Sequence, residues 1–65
     1  MNAADYRIGS TIKYLTISNN VRTVLVTWKD ENINSEGAAG FEAEELGSFD
    51  EVWGYDSDIL EVVKF

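Results

Sequence analysis

Eleven of the twenty residues from Ser10 to Lys29 are β-branched or aromatic, Thr11, Ile12, Tyr14, Thr16, Ile17, Val21, Val24, Val26 and Trp28 among them. Side chains branched at Cβ are stiff at χ1 and pack well on a pleated surface, so this stretch is expected to form two strands. Ser18, Asn19 and Asn20 lie between them, and asparagine tolerates the positive φ that tight turns require. The reading is a β-hairpin. A strict two-residue turn pairs Tyr14 with Leu25, whereas a longer turn pairs Tyr14 with Val26 and Ile12 with Trp28. The second register, or a bulge near Leu15, matches apolar with apolar and is preferred. It turns Val24, Val26 and Trp28 inward and leaves Lys13 outside, and a one-residue slip would invert the buried face.

The rest of the chain divides at its glycines and polar clusters. Asp30 to Gly40 is rich in turn residues around a single large apolar side chain, Ile33, and reads as an anchored loop. Phe41 to Leu46 alternates as a strand but also carries a helical stripe through Ala39, Ala43 and Leu46. Glycines at 37, 40 and 47 hold any helix there below two turns, so strand is preferred. Gly47 to Asp50 reads as a turn, Glu51 to Tyr55 as a strand, Asp56 to Ile59 as a turn or a single 3₁₀ turn, and Leu60 to Phe65 as the last strand. The expectation is an all-β domain spanning residues 1–65, a small SH3-like barrel of about five short antiparallel strands. The alternative is an α+β sheet with one short helix at 38–46. Barrel closure is attractive because it removes exposed strand edges.

Length then bounds the chemistry. A chain of 65 residues buries roughly 60% of the surface it exposes when unfolded, enough for one modest core and a marginal stability. Cysteine and histidine are both absent, which removes disulfides, thiolate nucleophiles, Ser-His pairs and the usual soft or nitrogen ligands of zinc. Carboxylate acid–base catalysis needs an enclosed pocket that separates two pKa values, and one small core can hardly supply it. No enzyme and no cofactor are expected. With no apolar run of signal-peptide or membrane-span length, the expected location is cytoplasmic, in a host or a mobile-element setting.

The net charge of −7 is unevenly spread: residues 1–29 sum to +3 and residues 30–65 to −10. Direct nucleic-acid binding, which relies on cations displacing counterions from phosphates, is disfavoured. A basic protein partner is the natural complement, although excess acid also serves solubility. Asp56 and Asp58, followed by Glu61, form only a fragment of a calcium loop, so no metal is expected. The two aspartates are read instead as caps of a turn.

The most distinctive segment is Val52-Trp53-Gly54-Tyr55-Asp56. Together with Glu31-Asn32-Ile33 and Gly40-Phe41-Glu42, it resembles short bacterial and phage-associated proteins of uncharacterised function, over about the last two thirds of the chain. The resemblance implies a small SH3-like barrel and no activity. The chain lacks the Ala-Leu-Tyr-Asp-Tyr stretch and the Pro-containing motif of peptide-binding SH3 domains. Trp53 is expected to fill the core, while Tyr55 divides between core and surface.

The function expected from these features is a protein-interaction module. Trp28, Phe49 and Tyr55 form its apolar patch, and Glu42, Glu44, Glu45, Asp50 and Glu51 its acidic rim. Two alternatives stand beside it: a nucleic-acid-mimicking inhibitor of a DNA- or RNA-binding protein, and a structural subunit that self-assembles as a homo-oligomer.

Overall fold

The computed structural model describes residues 6–65. Five strands, β1 (Thr11–Leu15), β2 (Val21–Asp30), β3 (Gly40–Glu45), β4 (Glu51–Tyr55) and β5 (Ile59–Lys64), make one antiparallel sheet in the order β4-β3-β2-β1-β5. A 3₁₀ turn, Asp56–Asp58, precedes β5. Residues 40–45 are strand, so the alternative with a short helix at 38–46 is set aside. The three glycines around that segment leave a helix too short to nucleate, whereas a neighbouring strand satisfies its backbone at once. No helix among the described residues is long and apolar enough to cross a membrane.

The first hairpin forms with a register unlike either expectation. Ile12 pairs with Val24, Tyr14 with Arg22 and Leu15 with Val21. Residues 16–20 make a five-residue turn, in which the Asn19 amide donates to the Thr16 carbonyl at 2.9 Å and the Thr16 amide to the Asn20 carbonyl at 2.8 Å. Asn19 takes the positive φ, +63°, that its side chain tolerates. Because Thr16, Ile17 and Ser18 enter the turn rather than the ladder, all pairings move by several residues.

A second departure concerns Trp28. The β2–β3 ladder shifts between Val26, opposite Ala43, and Trp28, opposite Glu42, so Thr27 is an extra residue on β2. This bulge breaks the two-residue alternation. Val24 and Val26 are buried as expected, but Trp28 leaves their face and is 56% exposed. Trp53, expected inside, is 55% exposed.

The interior is filled by Tyr6, Ile12, Tyr14, Val24, Val26, Phe41, Ala43 and Ile59. Phe41 meets Tyr14 edge-on at 5.1 Å and Tyr6 at 6.1 Å, an arrangement that suits the ring quadrupoles. These three aromatics occupy the space that Trp28 and Trp53 would have required. A Cβ added to Gly54 on β4 would meet Phe41 Cζ at 2.9 Å and Tyr14 Cδ2 at 3.1 Å, although Tyr14 lies on β1. In a flat sheet β4 and β1, three strand spacings apart in this order, would be about 14 Å from each other. The sheet is therefore strongly curled, yet it does not close: β4 and β5 remain its two edges.

The amino-terminal segment fastens the curl. The Tyr6 hydroxyl donates to Asp56 Oδ1 at 2.5 Å and lies 3.1 Å from the Gly40 carbonyl oxygen, tying the segment before β1 to β3 and the 3₁₀ turn. Asp56 thus accepts a tyrosine hydroxyl, and neither it nor Asp58 makes the side-chain cap read from the sequence. The loop from Glu31 to Ala39 is shaped by its asparagines: Asn32 Oδ1 accepts from the Gly37 amide and Asn34 Oδ1 from the Glu36 amide.

Candidate functional site

Alternation along β3 and β4 sorts their side chains onto two faces. Phe41, Ala43, Val52 and Gly54 turn to the core, while Glu42, Glu44, Glu51, Trp53 and Tyr55 turn outward. The ladder then assembles cross-strand rows on the outer face. Leu25, Glu44 and Glu51 stand in one row, Trp28, Glu42 and Trp53 in the next, and Asp30, Gly40 and Tyr55 in the third. Along β4 the rings of Trp53 and Tyr55 meet edge-on at 5.5 Å. The result is a patch in which exposed aromatics flank carboxylates.

Of the residues read from the sequence as a docking surface, the fold brings together Trp28, Glu42, Glu44, Glu51 and Tyr55. It separates the other three. Glu45 turns to the opposite face, where Arg22 Nη1 donates to its Oε2 at 2.5 Å. Asp50 and Phe49 belong to the β3–β4 turn, at the far end of β4 from Tyr55. In that turn the Phe49 amide donates to the Glu45 carbonyl at 2.9 Å, and Phe49 has φ +60° with its ring in solvent.

Trp53 was the residue missed, and a signal for it was present. Strand alternation places Trp53 with Glu51, and a carboxylate that turns outward takes its i+2 neighbour with it. Trp28 carried no such signal, because nothing in the sequence marks Thr27 as a bulge.

Among the described residues, no Lys or Arg pairs with the carboxylates on the outer face of β3 and β4. Of the five Lys and Arg residues, Arg22 is paired with Glu45, Lys13 lies 3.8 Å from Glu61, and Arg7 sits 4.5 Å over the Phe65 ring. Lys29 donates to the Tyr6 carbonyl at 2.9 Å and covers the Tyr6 ring at 4.3 Å. Lys64 lies on β5, at the opposite edge of the sheet. Glu42, Glu44 and Glu51 make no ion pair among the described residues. Nor do the described residues bring three carboxylates close enough to hold a metal ion.

No family model, curated protein or solved structure matches this chain.

A groove of about 780 Å³ adjoins the patch. Its walls are β4 on one side and the end of β1 with its turn on the other, with Tyr14, Leu15, Ile17, Val52, Trp53 and Asp58 among the lining residues. Ile17 stands fully in solvent at its rim. Burial raises the Tyr14 hydroxyl pKa, opposed by the nearby Arg22 charge and reinforced by Glu45, so Tyr14 stays neutral in the ordinary range.

Proposed function

We propose that the chain is a small SH3-like binding module that takes a basic protein partner on the outer face of β3 and β4. The strand order, the sharp curl and the 3₁₀ turn before the last strand support the SH3-like reading. The observation that carries the functional reading is the Trp28, Glu42, Trp53 row beside the Glu44, Glu51 pair, with no Lys or Arg among the described residues paired to these carboxylates. Two half-exposed indoles flanking a carboxylate offer a cationic side chain both a charge partner and π faces. Mechanistically, the acidic face steers the partner in and the aromatics hold it once water is expelled.

Surface plasmon resonance with Lys- and Arg-rich peptides tests this reading. The association rate should fall steeply between about 10 and 150 mM salt, over which the screening length shrinks from ~30 to ~8 Å. Acetylating the lysines, or the combined change Glu42→Gln, Glu44→Gln and Glu51→Gln, should abolish binding. An association rate indifferent to salt and to these carboxylates would overturn it. Where the partner also binds DNA, competition by duplex DNA for the same surface would favour nucleic-acid mimicry.

A further inference from the structure

We infer that the edge of β4, unpaired among the described residues, accepts an extended peptide as a sixth strand, one that alternates basic and apolar residues and lies in the groove between β4 and β1. The inference rests on the basic-partner reading above and adds how that partner is held.

Hydrogen-bonded pairs alternate along an antiparallel ladder. The Glu45 amide donates to the Asp50 carbonyl at 2.9 Å at one end of the β3–β4 ladder, and the Asp56 amide to the Ala39 carbonyl at 3.0 Å just beyond the other. Residues 50, 52, 54 and 56 therefore direct their backbone groups at β3. Glu51, Trp53 and Tyr55 direct theirs away from it, along the groove.

The two edges of the sheet are not alike. β5 slips register against β1 twice, between Lys13 and Tyr14 and again between Thr11 and Ile12, and such bulges blunt an edge against further pairing. β4 pairs with β3 in unbroken register and carries no proline, lysine or bulge. Only the β4 edge is built to receive a strand.

The alternation of β4 dictates the guest. Residues facing Glu51, Trp53 and Tyr55 emerge on the acidic, aromatic outer face, where lysine or arginine fits. Residues facing Val52 and Gly54 enter the groove over Tyr14 and Leu15, where apolar side chains fit, while the space above Gly54 itself is taken by the Phe41 and Tyr14 rings. A second copy of this chain is a poorer guest, because each copy carries a net charge of −7.

The test is NMR and amide hydrogen exchange on the full chain with a synthetic heptapeptide alternating lysine and valine. Two controls carry the same charge: one N-methylated along the edge that would face β4, the other along the opposite edge. The expected result is slowed exchange at the Glu51, Trp53 and Tyr55 amides, with affinity reduced about tenfold or more by the first methylation and little by the second. Shifts at Trp28 and Glu42 with unprotected β4 amides, and equal binding by all three peptides, would overturn strand addition while leaving the basic-partner reading in place. Absence of binding by any of the peptides would overturn both. Protected β4 amides without peptide, together with a doubled mass in sedimentation, would give the edge to a second copy and refute the proposal.

Discussion

Glu44 and Glu51 face each other directly across β3 and β4 on the outer side of the sheet, and neither meets a cation among the described residues. Theirs is a non-hydrogen-bonded position of the ladder, where opposed side chains come closest, and like charges so placed are destabilising. Reversing one charge should therefore help the fold and harm the proposed function. Glu51→Lys is expected to raise stability by about 0.5 kcal/mol, or roughly 2–4 °C in Tm for a domain of this size. The same variant should bind a Lys-rich peptide far more weakly. A thermal melt showing no gain would mean that the two carboxylates do not oppose each other in solution.

Tyr6 should carry a measurable share of stability. Its hydroxyl serves the half-buried Asp56 carboxylate and approaches the buried Gly40 carbonyl, so Tyr6→Phe removes a donor from both, a loss of about 1–3 kcal/mol in urea unfolding. A loss below a few tenths would show that neither contact persists.

The same tyrosine sets a pH limit. Burial first, then the hydrogen bond and charge of Asp56, push the Tyr6 pKa well above its ordinary value of 10.0. The native state thus keeps a proton that the unfolded chain releases. The contribution is complete below pH 10 and is lost as pH rises from 10 toward the raised native value. Each such tyrosine steepens the alkaline fall by up to about 1.4 kcal/mol per pH unit. Tyr14 shifts in the same direction. Stability measured above pH 10 should decline steeply in the parent and less steeply in Tyr6→Phe; equal slopes would refute the assignment.

Gly54 is where β4 touches the far side of the curled sheet. A methyl group there would press on the Phe41 and Tyr14 rings, so Gly54→Ala should destabilise by about 1–3 kcal/mol. Shortening the opposing ring with Phe41→Leu should recover part of the loss in a double-mutant cycle. Additive effects would argue that the contact is absent.

The two tryptophans give the simplest optical check. Both are more than half exposed, so native fluorescence should already be red-shifted and readily quenched by acrylamide, with little further shift on unfolding. Trp53→Ser should change stability by less than about 1 kcal/mol, against about 3–5 for Phe41→Ala. A blue-shifted native spectrum would place one indole in the core.

The elements themselves were legible from residue chemistry. β-branched runs marked β1 and β2, glycines kept residues 40–45 from being helical, and the turn at 56–58 fell where aspartate and serine cluster. All five strands are present, and Glu51–Tyr55 matches to the residue. On the candidate site the reading was partial: the acids of β3 and β4 could be named, but their division between two faces left Glu45 with Arg22 and away from Glu42, Glu44 and Glu51.

Local chemistry, then, decided which residues are strands and where the negative charge accumulates, because propensity and charge are carried by each residue and its near neighbours. Tertiary structure decided the rest. The first register depended on a five-residue turn, the outward position of Trp28 on one bulged residue opposite β3, and the exclusion of both indoles on Tyr6, Tyr14 and Phe41 filling the small interior first. Each outcome is a competition between segments far apart in the chain, and no local pattern records who wins it.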